Sequence, residues 1–340
     1  MHMADALLSP VVGGVMTAVS AAAIAYSVKM ISGDKLDEKK IPMMGVMGAF
    51  VFAAQMINFT IPGTGSSGHI GGGILLAALL GPYPALLTLS SVLLIQCLFF
   101  ADGGLLAYGC NVFNLGVCAC LLAYPFLYRP IMKRGINKKN IVLASVISVV
   151  FGLQVGSFSV VLETVASGVT ELPFGAFAVL MQPVHLVIGL VEGLVTAAVL
   201  CFIYSARPEI LDSPTENVKV AQKASMKKIL LTLLVITALT GGVLSLFASP
   251  LPDGLEWSME GVSGVSELER EGAVHDATNN VVDFTAFMPD YAFTGDEDGS
   301  SLGTATAGIA GSAITLILAG GAGLLIHMAR KKAAPAKQGV

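Results

Sequence analysis

Charge is scarce in this chain: Asp, Glu, Lys and Arg make up 12% of its 340 residues, against roughly 25% in an average soluble domain. That shortage argues against a soluble fold. No GxxxxGK[ST] phosphate loop occurs anywhere, so the chain carries no nucleotide-hydrolysing loop of its own and is not expected to be an enzyme of that kind. The five cysteines (Cys97, Cys110, Cys118, Cys120 and Cys201) form no CxxC pair and sit in apolar runs. They read as small buried side chains. The N-terminus lacks the positive region of a signal peptide, and no A-x-A-like site closes an early apolar run. The first apolar segment is therefore expected to stay as an uncleaved helix. No internal repeat is evident, and GDEDG at 295–299 lacks the spaced ligands of an EF-hand loop.

What is present is hydrophobicity, with 54% apolar residues and a mean hydropathy of +0.78. Apolar runs near ~20 residues, the length that crosses a hydrocarbon core, recur along the chain. They predict an all-α polytopic membrane protein with spans at 10–31, 41–60, 68–80, 84–101, 105–128, 140–163, 174–204, 229–248 and 303–328. The third is short and glycine-rich, and charge decides it. Lys/Arg-rich loops face the cytoplasm. The basic groups fall in 29–40, 129–139, 205–228 and the tail. Nine spans, with the N-terminus out and the C-terminus in, place all of these inside, and Arg270 is the one basic residue left outside. Deleting the third span would put 129–139 outside, so it is expected to cross, with an irregular start buried in protein.

The organisation is bipartite. Residues 1–206 form a seven-helix unit, 207–228 a polar inner linker, and 229–340 two spans around a long outer loop, 249–302. That loop holds twelve acidic residues against Arg270. Its field would gather cations, or its charge simply keeps it solvated.

Met1-His2 opens the chain. A histidine at position 2 brings the free α-amine, its own amide and its imidazole within reach of one ion, in adjacent five- and six-membered chelate rings. Flat, nitrogen-rich coordination suits Ni(II), Cu(II) or Co(II) rather than Mg or Ca. Initiator Met is removed only before small residues, so Met1 is expected to stay. The alternative is that His2 is an accident of the start site. The next outer loop, IPGTGSSGH at 61–69, ends in His69 on the same side of the membrane. A second imidazole completes four nitrogens, and the glycines beside it allow close backbone approach. Otherwise His69 is a polar cap at a helix start.

His185 and Glu192 lie mid-span about two turns apart, with Gln182 on the same stripe. They line a passage or support a site, or they staple helices together. Asp5, Ser66, Ser67, Asp102, Asn111 and Asn114 cluster at the outer end and are candidates to support the ion. In the first helix Gly14, Ala18 and Ala22 form a small-residue stripe, as do Gly303, Ala307 and Gly311 in the last. Each is a docking face or internal packing.

The start MHMADALLSP, the stretch IPGTGSSGHIGGGILLAALLGPYPA, the run ADGGLLAYGCNVFNLG and the segment HLVIGLVEGLVT resemble the M-type substrate-binding component (CbiM/NikM) of cobalt/nickel energy-coupling factor transporters. The resemblance covers roughly residues 1–206, and LPDGLEWS after the eighth span looks like the PDGLE-type small N-component. It implies a seven-helix metal-binding unit in a bacterial or archaeal cytoplasmic membrane. It implies that Met1, His2 and His69 hold Ni(II) or Co(II). The implied partners are a transmembrane coupling (T/Q) subunit and cytoplasmic ATPase subunits, with Gly14, Ala18 and Ala22 as the docking face; no nucleic acid is expected. Many members continue Met-His-Ile and then Pro or Glu, whereas Met3-Ala4-Asp5 follow here; the chelating atoms are unaffected.

Two other classes stay open. A gradient-driven carrier would use midplane carboxylates, of which Glu192 is the one candidate. A rhomboid-like protease would use Ser67 of GSSG with His185 as base, a four-residue pattern that glycine-rich stretches produce freely.

Overall fold

A bilayer core offers no water to backbone N–H and C=O groups, so each apolar run must pair them within itself, as a helix. The computed structural model of the chain describes residues 2–33, 40–211, 225–266, 268, 270–293 and 301–333. Met1, most of the 207–228 linker and the 295–299 stretch lie outside them. The first unit runs α1 (Pro10–Gly33), α2 (Lys40–Gln55), a hairpin of β1 (Phe59–Ile61) and β2 (Ser66–Gly68), then α3 (Gly73–Leu80) and α4 (Pro82–Phe100). It continues through α5 (Tyr108–Met132), wound as a π-helix over Val112–Tyr128, to α6 (Lys138–Ser167) and α7 (Phe174–Ala206). The second unit holds α8 (Met226–Gly242), α9 (Gly254–Ser263), α10 (Ala273–Thr285) and α11 (Ser301–Ala333).

Among the described residues, seven helices are long and apolar enough to cross a membrane: α1, α4, α5, α6, α7, α8 with the turn after it, and α11. Helix α2 is apolar but shorter, at 16 residues. The third expected span is realised as the eight-residue α3, about 12 Å of rise, preceded by non-helical backbone at 69–72. Gly81 ends α3, and Pro82 starts α4 at once.

Helix α2 is buried almost throughout from Met43 to Gln55, because α4, α8 and α11 pack around it. That explains why it is apolar on every face. The second unit thus docks on the first through α2. Helices α8 and α11 cross where Gly241 meets Gly308; a Cβ on Gly308 would lie 2.2 Å from the Gly241 carbonyl oxygen. Ala307 is fully buried, and a Cβ on Gly311 would collide with the Phe52 ring. The stripe on α11 is therefore internal packing. Gly308→Leu is expected to force α8 and α11 apart and destabilise the protein by about 1–3 kcal/mol. Thermal unfolding in detergent measures this, and an unchanged midpoint would contradict the close crossing.

The stripe on α1 behaves differently. Gly14, Ala18 and Ala22 are exposed, alongside Val11, Val15 and Val19. The opposite edge packs inward, with Gly13 against Leu106 and the Ser20 hydroxyl donating to the Gly109 carbonyl.

Candidate metal centre

The N-terminal segment is fixed by hydrogen bonds from several sides. Asn111 clamps Met3 twice, accepting from its N–H at 2.7 Å and donating to its carbonyl at 3.1 Å. Asp5 is buried; its Oδ1 accepts from the Ala107 N–H at 2.8 Å and its Oδ2 from the Thr278 hydroxyl at 2.8 Å. Asp5 therefore anchors the chain after His2. His275 of α10 adds a bond from Nε2 to the Leu8 carbonyl at 3.0 Å.

Residues 59–72 bring His69 to the same place. The hairpin pairs Phe59 with Gly68 and Ile61 with Ser66, and Gly63 and Gly65 take the positive φ its turn requires (81° and 78°). The following non-helical backbone is held by polar side chains from three helices. Glu192 accepts from the N–H groups of Gly71 and Gly72 at 2.9 and 2.8 Å. Gln55 donates to the Gly71 carbonyl at 3.0 Å, and Gln96 donates to Gln55 at 2.9 Å. Irregular backbone buried among apolar helices is stable because these groups satisfy it.

The two imidazoles stack, with ring centroids 5.1 Å apart and planes 21° from parallel. Nδ1 of His69 lies 3.1 Å from the Ile70 carbonyl. A carbonyl only accepts, so Nδ1 carries the proton and Nε2 the lone pair, which makes Nε2 the nitrogen with which His69 can ligate a metal. Desolvation by the surrounding protein, with the charge of His2 adding to it, pushes the His69 imidazole down to about 3. His69 is thus a neutral donor across the physiological range. Nδ1 of His2 lies 2.9 Å from Oδ1 of Asp102. Burial alone would raise the Asp102 carboxyl, but the His2 charge and hydrogen bond outweigh it and hold it below the ordinary carboxylate range. The Tyr291 hydroxyl donates to the other Asp102 oxygen. A cavity of about 670 Å³ opens beside these groups, lined by His2, His69, Asp102, Asp253, Glu256 and Tyr291 among others.

The remaining sequence candidates divide. Ser66 pairs with Thr64. Ser67 donates its hydroxyl to the Leu251 carbonyl at 2.7 Å, and the described bonds include none between Ser67 and His185, so no nucleophile–base dyad forms. Asn114 donates to Glu163 at 2.8 Å beneath Met3. Gln182 staples α7 to α6 through Ser157 and Gln154. His185 sits lower, its Nδ1 bonded to the Met181 carbonyl at 2.8 Å, and lines a void of about 10 Å³ with His69, Asp253 and Gly254.

Comparison with known proteins decides the kinship. The model of the CbiM family, described as the cobalt uptake substrate-specific transmembrane region, matches residues 2–210. The chain belongs to the CbiM family. A PDGLE domain matches residues 227–328, so a CbiM unit is fused here to a PDGLE unit in one multi-pass membrane protein. A relative named NikMN, from Archaeoglobus fulgidus, is 34% identical over 94% of this chain and 96% of its own. The fused nickel transport protein NikMN of Rhodobacter capsulatus is 31% identical over 62% of this chain and 64% of its own. A crystal structure of a truncated transition metal transporter is 30% identical, with a TM-score of 0.53, over 60% of this chain and 99% of that one.

In this CbiM–PDGLE fusion the PDGLE letters themselves build a helix start. Asp253 caps α9 by accepting from the N–H groups of Leu255 and Glu256 (2.7 and 3.0 Å), and Glu256 reaches back to the Asp253 N–H at 2.8 Å. Gly254 lies where a Cβ would come within 3.0 Å of His185. The residues just before it grip the CbiM hairpin. Ser67 donates its N–H to the Pro252 carbonyl at 2.8 Å, and Ser249 donates to the Asn58 carbonyl at 2.7 Å. The D-x-x-E spacing signals this cap in sequence; nothing local signals Tyr291, Thr278, His275 or Glu163, whose partners are distant in the chain.

Proposed function

We propose that this chain is the substrate-capture subunit of an ATP-driven importer of the energy-coupling factor type, taking Ni(II) or Co(II) from outside. The observation that carries the reading is the stacked His2–His69 pair beside the anchored Met3–Asp5 segment. The Met1 amine, the His2 amide and imidazole, and Nε2 of His69 together supply four nitrogens to one ion. Residues 1–206 act as the capturing M unit, 207–228 as the inner linker, and 229–340 as the N-like unit. The proposed nine-span topology opens the site outward. The exposed Gly14, Ala18 and Ala22 edge of α1 is the proposed face for the transmembrane coupling (T/Q) subunit, and cytoplasmic ATPase subunits supply the energy. The setting is a bacterial or archaeal cytoplasmic membrane.

Affinity is expected to fall as pH drops from 8 to 5. The terminal amine, near ~7.7–8.0 when unperturbed, must be deprotonated to bind metal, while His69 stays neutral throughout that range. Titrations of Ni(II) at several pH values check this, and a constant affinity would contradict the amine ligand.

Proteoliposomes test the transport reading. Uptake of Ni(II) that requires the coupling and ATPase subunits supports it. Uptake by this chain alone, driven by an ion gradient, would favour the carrier instead.

A further inference from the structure

We propose that Asp102 and Tyr291 form a latch that competes with the metal ion for Nδ1 of His2. This rests on the capture site described above and adds a pair of positioning residues that joins the two units.

A residue-2 imidazole closes a six-membered ring with its own amide only through Nδ1. The ring runs from amide nitrogen through Cα, Cβ and Cγ to Nδ1 and the ion; Nε2 lies on the far side. In this structure Nδ1 of His2 is 2.9 Å from Oδ1 of Asp102. A nitrogen that donates its hydrogen to a carboxylate has no lone pair for a metal. The two uses of Nδ1 are mutually exclusive.

Asp102 is itself held. Its N–H donates to the Gln96 carbonyl at 3.0 Å, and its Oδ2 accepts from the Tyr291 hydroxyl. Tyr291 comes from the PDGLE unit, and its ring stacks on Phe100 with centroids 5.0 Å apart and planes at 18°. Asp290 and Tyr291 have φ values of 50° and 60°, a backbone region unfavourable for side-chain-bearing residues. Such a corner persists when surrounding contacts fix it, and the Phe100 stack and the Asp102 bond are contacts of that kind. Among the described residues the other ring nitrogen of His2, Nε2, is buried with no hydrogen-bond partner, and the hydrogen bond described for the ring is the one to Asp102.

Loading then has a defined order. The His2–Asp102 bond opens, Nδ1 gives up its proton to water while the neutral ring holds one proton on Nε2, exchanged with water, and the Nδ1 lone pair turns to the ion. Because Tyr291 belongs to the second unit, any displacement of that unit loosens Asp102 and speeds the step. The fused PDGLE unit sets how fast the CbiM unit loads.

Stopped-flow mixing of Ni(II) with the purified full chain tests this. Tyr291→Phe keeps the ring stack, the Asp102 charge and every proposed ligand. It should raise the association rate about 3- to 10-fold, as expected when a fraction of the strength of one hydrogen bond to a charged group is expressed in the barrier, with the dissociation rate within about twofold of wild type. Asp102→Asn should raise association further, although it removes a negative charge that would attract the cation. If Asp102→Asn fails to fold, Tyr291→Phe decides alone. Unchanged or slower association in Tyr291→Phe overturns the latch, and so does slower association in Asp102→Asn, which would make Asp102 an attractor. A chain with one residue added before Met1 separates the two levels. If that chain still binds, the capture site falls and the latch with it. If its binding is lost while Tyr291→Phe associates like wild type, the latch alone is wrong.

Discussion

With one extra residue ahead of Met1, the purified protein is expected to lose more than ~100-fold of its affinity for Ni(II) and Co(II). Changes to residues that merely support a ligand cost roughly 10–100-fold; this change removes a ligand and a chelate ring. The added residue carries the amine away from His2 and replaces it with an amide, so the adjacent five- and six-membered rings no longer close on one ion. His2 keeps its place because Asn111 and Asp5 hold the chain from Met3 onward, and His69 because Glu192 and Gln55 hold the backbone that follows it. The loss therefore reports coordination and not folding. Calorimetric titration of both forms reads it directly, and equal affinities would remove the N-terminus from the site.

The second large effect is expected at Glu192. Its carboxylate accepts from the buried N–H groups of Gly71 and Gly72, next to His69. Glu192→Ala leaves both donors unsatisfied, at about 1–3 kcal/mol each. The protein should lose roughly 2–6 kcal/mol of stability and, with His69 no longer held, bind metal roughly 10–100-fold more weakly. Glu192→Gln keeps one acceptor oxygen and should fall between. Thermal unfolding in detergent and Ni(II) titration measure the pair of effects. A Glu192→Ala protein as stable as wild type would contradict the anchoring role.

Much of this was legible in the residues, for physical reasons. A span announces itself by length and apolarity alone, so every long helix lies where an apolar run predicts it. His2 and His69 could be put on one face because basic loops orient the chain, and chelate chemistry then gives the pair a purpose. Glu192 and His185 were visible as polar residues in apolar surroundings, but not what they touch. A sequence records no partner 120 residues away, and Glu192 reaches Gly72 across that distance. Asp5 illustrates the same limit. It stands near His2 in sequence, yet both its oxygens serve Ala107 and Thr278. The 249–302 stretch hid most. Its acidity reads as a cation-gathering field or a solvated chain, while its few apolar positions fold α9 beside the site and α10 against the Asp5–Leu8 segment, with Leu255, Met259 and Val282 buried. The hairpin that delivers His69 has strands of three residues, too short for an alternating pattern to stand out.

Ni K-edge X-ray absorption on the Ni(II)-loaded protein tests the central claim most directly. The expected result is four nitrogen donors in a square plane, with scattering from two imidazoles, one of which disappears in His69→Ala. A six-coordinate shell dominated by oxygen, or a spectrum that His69→Ala leaves unchanged, would contradict it.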